Sequence, residues 1–263
     1  MAQKAFKSNE KLAESIKQRR LELNLTIEEA AQRAGVGTKT WCRYESGESI
    51  RHDKCKGVCR ALNWQGFPNG NIDDNEIFDY EEYTSHKAWS SSIKKQFGDI
   101  AAISFVIGTD ILLDYLREDL QEMSTMPKGS HIGQVNISWI ASLLPQQFLT
   151  RYDYEFLYHL YVTVRRLRTV AHNYKKFIVH SVMEELAVYL IVEASELLVE
   201  SMWENMEDAG LDCEEYWKDW IYDLFGDCDL ITCLYSDFYM TRDNIYHFDH
   251  WSENQFWTEE TLE

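Results

Sequence analysis

Apolar residues recur at three- and four-residue spacing along most of this chain, a pattern that predicts helices. Between 9 and 23, Leu12, Ile16 and Leu23 share one face while Lys11, Lys17, Arg19 and Arg20 take the others, and Asn24 is expected to end that helix. Thr26 and Glu29 stand three apart ahead of the next apolar run, a spacing at which hydroxyl and carboxylate can each take the other residue's backbone amide. Gly35 can close the helix that follows by adopting a left-handed conformation. After the turn 35–37, a third short helix is predicted over 38–45. It turns Trp41 and Tyr44 inward and Thr38, Lys39, Cys42 and Arg43 outward, before Ser46 and Gly47 break it. From His86 onward Trp89, Ile93 and Phe97 line one face, and 101–120 is apolar enough to be central. Further helices are expected over 137–149, over 152–206 with a break near Asn173, and over 214–225 and 230–239. Only three prolines and twelve glycines interrupt 263 residues, so the fold class expected is all-α.

The stretch 23–50, LNLTIEEAAQRAGVGTKTWCRYESGESI, resembles the helix-turn-helix of the phage-repressor (XRE/Cro) family, whose pattern is L-T-Q-x-E-L-A-x-x-A-G-V-S-x-x-x-I-S-x-W-E-x-G. The resemblance extends over residues 9–64 and implies a lambda-repressor-like head of five helices, with Ile50, Val58 and Leu62 fitting its closing helix. It also implies that 38–45 is the recognition helix, which lies in the major groove of double-stranded DNA, and that Arg20 and Glu45 form a buried ion pair between the first and third helices. On that basis the DNA-contacting set is Thr38, Lys39, Cys42 and Arg43, with Ile27 and Glu28 at the start of the second helix. Lys39 and Arg43 can donate to guanine O6 and N7 or to phosphate. Ser46, Arg51, Lys54 and the amides around Ser46 and Gly47 are expected near the phosphate backbone, setting register without reading sequence. Two positions depart from the family pattern. Ile27 stands where many members carry a base-reading Gln, and Gly37 stands where they cap the recognition helix with Ser or Thr. The amide that would read an adenine edge is therefore missing.

Charge sharpens this division. The net of −18 argues against nucleic acid only if it is spread evenly, and it is not. Residues 1–66 hold 13 Lys and Arg against 8 Asp and Glu, whereas the remainder holds 13 against 36. A basic head thus precedes an acidic body. Residues 65–83 combine a Pro-Asn-Gly turn signal with six acidic and no basic side chains. The expected organisation is a DNA-binding domain at 1–66, an acidic linker at 67–84 and an acidic all-helical domain at 85–263 for dimerisation or for a protein or small-molecule effector. No secretory leader is read at the N-terminus and no apolar run spans a bilayer, so the expected location is cytoplasmic, with reduced thiols.

Other chemistry is thinner. Arg166 and His172 weakly resemble the Arg-x4-6-His signature of helical HEPN ribonucleases. His247, Asp249 and His250, and separately His52, Cys55 and Cys59, offer three potential metal ligands each, short of a closed four-ligand site. No phosphate-binding glycine loop or nucleophile elbow is present. The reading is a non-enzymatic, dimeric transcriptional regulator, a repressor rather than an activator, without cofactor or metal. Its rivals are an antitoxin-like or phage-defence protein whose body binds a protein partner, and a HEPN-like ribonuclease body.

Overall fold

The computed structural model describes residues 5–6, 10–34, 36–64, 78–136, 138–173, 176–213, 216–226, 233–236 and 238–254. These residues are mostly helical, and β structure is confined to one antiparallel pairing of β1 (Ala5–Phe6) with β2 (Ile50–Arg51). The chain divides into two compact units, residues 1–77 with 135–142, and residues 78–134 with 143–263.

In the first unit, α1 (Glu10–Glu22), α2 (Ile27–Ala34), α3 (Thr38–Glu45) and α4 (His52–Ala61) enclose a core of Leu12, Ile16, Ala30, Ala31, Trp41, Tyr44, Ile50, Val58 and Leu62. Local signals set the ends of these helices. Asn24 takes a φ of 53° after α1, and the Leu25 amide donates back to the Arg20 carbonyl at 3.1 Å. Thr26 and Glu29 form the reciprocal cap at the start of α2: the Glu29 amide donates to Thr26 Oγ1 at 3.1 Å, and the Thr26 amide to Glu29 Oε2 at 2.8 Å. Two donors that a helix N-terminus would otherwise leave open are thereby satisfied. Gly35, the expected terminator of α2, lies outside the described residues, as does the body of the acidic segment at 65–77. α4 approaches α2 so closely that a Cβ on Gly57 would meet the Ala34 carbonyl oxygen at 2.2 Å. No fifth helix is present in the head among the described residues: α4 ends at Ala61, Asn63 follows with φ 52°, and the Trp64 amide turns back to the Cys59 carbonyl.

The second unit begins inside the stretch read as linker. Asp79 caps α5 (Tyr80–Thr84), accepting from the Glu81 amide at 3.0 Å, so 78–84 is ordered chain belonging to the body. α6 (Ser91–Met123) is the central helix, with Ile100 to Ile107 buried without interruption. Gly98, at φ 91°, divides it into a short first arm and a long second one. α7 (Trp139–Leu143), all but its last residue belonging to the first unit, stands where a single helix was expected over 137–149. Pro145 follows it and opens the 3-10 turn Gln146–Arg151, because a proline cannot donate into a continuing helix. α8 (Tyr154–Asn173) and α9 (Val182–Ser201) pack on α6, and α8 ends at the expected Asn173. The α6–α9 contact is tight: a Cβ on Gly108 would sit 1.9 Å from the Ile191 carbonyl oxygen. Short helices α10 (Trp203–Asp208) and α11 (Trp220–Phe225) follow. Of the 214–225 and 230–239 segments, residues 214–215, 230–232 and 237 lie outside the described residues. No helix of the described residues is long and apolar enough to cross a membrane.

Candidate nucleic-acid interface

The geometry of α3 follows from one buried carboxylate. Arg20 Nε and Nη2 donate to the two oxygens of Glu45 at 2.6 and 3.0 Å, its Nη1 donates to the Leu25 carbonyl at 3.0 Å, and Trp41 Nε1 donates to Glu45 Oε1 at 2.6 Å. Both charged side chains are less than a tenth exposed. A planar guanidinium matched to a carboxylate by two parallel bonds fixes orientation as well as position. The result is that α1 and α3 are held in one register. The hydrogen bond to Glu45 also raises the Arg20 pKa, against the opposing effect of burial.

With Trp41 and Tyr44 buried, α3 presents Lys39, Cys42, Arg43 and Ser46 to solvent, a stripe at i, i+3, i+4 and i+7. Two members of the expected set behave differently within this stripe. The Arg43 Nε donates to Glu48 Oε2 at 2.7 Å, and its Nη2 lies 2.6 Å from the same oxygen, drawing the Glu48 carboxyl below its usual pKa. The Glu48 amide also donates to the Arg43 carbonyl at 3.0 Å, so the loop after α3 is tied to Arg43 twice. Ser46 and Gly47 do not offer amides to a phosphate. The Ser46 amide and hydroxyl both donate to the Cys42 carbonyl, and the Gly47 amide donates to the Tyr44 carbonyl, closing the end of α3.

The remaining expected contacts separate by burial. Thr38 is half-buried and its hydroxyl oxygen is covered, so it does not face outward with Lys39. Ile27 packs against the head's core, while Glu28 beside it is exposed and acidic, a poor neighbour for phosphate. Arg51 is half-exposed on β2, its carbonyl accepting from Cys55 Sγ at 3.4 Å. Lys54 is buried at 5% exposure, which corrects its assignment to the phosphate backbone. The cause is the close α2–α4 packing at Gly57: Lys54 shares a face with Val58 and Ala61, four and seven positions on, and that face turns inward. Gly37 heads α3 without any side-chain cap. Glu48 was not foreseen, and its only signal in the sequence is a carboxylate five positions past Arg43, across a Gly turn.

The alternative chemistries find other employment. Arg166 pairs with Glu184 on α9, and His172 Nδ1 lies 3.1 Å from the Trp89 carbonyl, so the two are engaged with different partners. His247 Nδ1 accepts from the Asp249 amide and its ring stacks edge-on to Phe148 at 5.3 Å. Asp249 bridges Arg151 and Arg242 at 2.6 and 2.9 Å, and those two guanidinium groups hold its carboxyl at about 2. His250 pairs with Glu253. Cys55 and Cys59 are buried in the head, and no metal-binding cluster occurs among the described residues. No family model matches this chain, and neither a curated protein nor a solved structure matches it.

Proposed function

We propose that this chain is a sequence-specific DNA-binding transcriptional regulator of the phage-repressor helix-turn-helix kind, acting as a homodimer through its acidic body. The observation that carries the reading is the outer face of α3: Lys39, Cys42 and Arg43 are exposed while Trp41 and Tyr44 are buried, on a helix locked by Arg20, Glu45 and Trp41. A short helix with one rigidly seated face and a basic outer stripe suits insertion into a major groove. Lys39 and Arg43 would donate to guanine edges or phosphates, with Cys42 making an apolar contact between them. The acidic body would stay away from the polyanion, which confines productive approach to the basic head. Repression follows if the bound site overlaps a promoter, and the body then supplies assembly or the response to an effector.

Fluorescence anisotropy with duplex DNA over a series of salt concentrations tests the reading. Binding should weaken steeply with salt, and removing one phosphate-contacting cation should lower the slope of log K against log salt by about 0.9. A chain that binds no duplex even at low salt would remove the proposal.

A further inference from the structure

The buried face of α8 consists of Phe156, Leu160, Val164, Leu167 and Ala171, which packs into the body. Its opposite face carries Tyr154, Tyr158 and Val162 at every fourth position, and these remain 46%, 49% and 44% exposed. Large apolar groups in a continuous row on the solvent side of a helix mark a surface that meets a partner. Arg165, eleven positions after Tyr154, returns to within about 20° of it around the helix. Its guanidinium lies over the Tyr161 ring at 5.7 Å, and Arg117 approaches the same ring at 5.8 Å, so the basic end of the row is held in place.

Charge along this face is polarised from end to end. Asp153 and Glu155 are exposed at the start of α8, and Arg165 and Arg166 are exposed near its other end. A row with acid at one end, aromatic and aliphatic groups between, and base at the other is complementary to itself when reversed. We infer that the exposed face of α8 pairs antiparallel with the same face of a second copy of this chain, across a two-fold axis level with residue 160. That placement sets Glu155 level with the partner's Arg165, and the symmetry repeats the pair. Tyr158 then meets the partner's Val162. The separation of Glu155 from Arg165 is about 15 Å along the helix, the same in both copies by construction. Antiparallel helix dipoles add to the match.

A second copy fits better than an unrelated acidic protein because it satisfies both ends of the row. Two chains of net charge −18 repel one another generally, so they can associate only through a locally matched patch of this kind. A single helix face of about 30 Å offers less than the roughly 800 Å² per partner of a standard interface. The free dimer is therefore weak, and two heads on adjacent half-sites would reinforce it. Only that reinforcement rests on the DNA-binding reading, since the association itself is measured without DNA.

The test is sedimentation equilibrium of the full chain, DNA-free, from micromolar to hundreds of micromolar concentration. A reversible monomer–dimer equilibrium is expected. Glu155→Arg and Arg165→Glu should each raise the dissociation constant about tenfold, because each altered pair occurs twice. Combining them should return it to near the wild-type value, and Tyr158→Ser should weaken it at least as much as either reversal. Circular dichroism should be unchanged throughout, as all three positions are exposed. A strictly monomeric chain, or a dimer indifferent to the reversals, would overturn the inference. A monomer that still binds duplex would remove this interface alone, whereas a charge-sensitive dimer that binds no duplex would uphold it and remove the DNA reading.

Discussion

Glu45→Gln is the substitution that strains the head most for the least change in shape. It leaves the Arg20 guanidinium, 8% exposed in its side chain, without a counter-charge, and it keeps only one oxygen to serve both Arg20 and Trp41. Removing one partner of a buried ion pair costs about 3 to 5 kcal/mol. For a domain of this size about 4 to 8 °C of melting temperature is lost per kcal/mol, so the head should melt at least about 12 °C lower. Tryptophan emission cannot report this cleanly, because nine tryptophans are spread over both units. Amide exchange of peptides from residues 10–64, followed by mass spectrometry, isolates the head, while peptides from α6 and α9 serve as internal reference. The double change Arg20→Met with Glu45→Met should cost less than Glu45→Gln alone. It removes both charges, leaving mainly the Trp41 indole and the Leu25 carbonyl to lose partners, at about 1 to 3 kcal/mol. If Glu45→Gln lowers the stability of the head by less than about 1 kcal/mol, the pair behaves as an exposed one and the account of how α3 is seated is wrong.

Other outcomes follow from single contacts. Gly57→Ala puts a methyl 2.2 Å from the Ala34 carbonyl oxygen, backbone that cannot rotate away, and should cost the head about 1 to 3 kcal/mol in thermal denaturation; Gly37→Ala, whose Cβ meets only Thr40 Oγ1 at 3.9 Å, is the control. Asp249 has a folded pKa depressed from 3.8 to about 2, so its tie to Arg242 and Arg151 is fully present above 3.8 and is lost as pH falls through about 2. Near-ultraviolet circular dichroism of the Phe148–Phe248–Trp251 cluster should change across that window, and Asp249→Asn should abolish the change. Glu48→Gln removes the carboxylate that pairs with Arg43 beside the proposed DNA-binding stripe, so duplex affinity should rise by up to about fivefold. A fall in affinity would mean instead that Glu48 aims Arg43 at its target.

Much of the head was legible because its signals are local. The Thr26–Glu29 cap and the left-handed Asn24 depend on residues a few positions apart, and the family resemblance placed Arg20 opposite Glu45. The addition of Trp41 to that pair was within reach, since it lies one helical turn before Glu45. Lys54 was misplaced because composition marks it as a surface residue, while its burial is decided by how closely α4 can approach α2 at Gly57. The body was legible as helices but not as boundaries. Gly98 breaks a run that reads as continuous helix, and Pro145 divides 137–149 into two kinds of turn. The acidic segment was read as linker on its Pro-Asn-Gly turn signal and its charge, yet Asp79 and the aromatic contacts of Phe78, Tyr80 and Tyr83 make its end part of the body. Arg43 was read as free to reach DNA, because a carboxylate across a tight turn is close only once Gly47 takes its φ of 89°.

The central claim is that the α3 stripe reads DNA, and selection of bound genomic fragments by the purified full chain at physiological salt tests it most directly. The comparison is a Lys39→Ala, Arg43→Ala variant shown by circular dichroism to be folded. The account predicts enrichment of a short, two-fold symmetric motif by the wild type and its loss in the variant; no enriched motif, or the same motif recovered by both proteins, would contradict it.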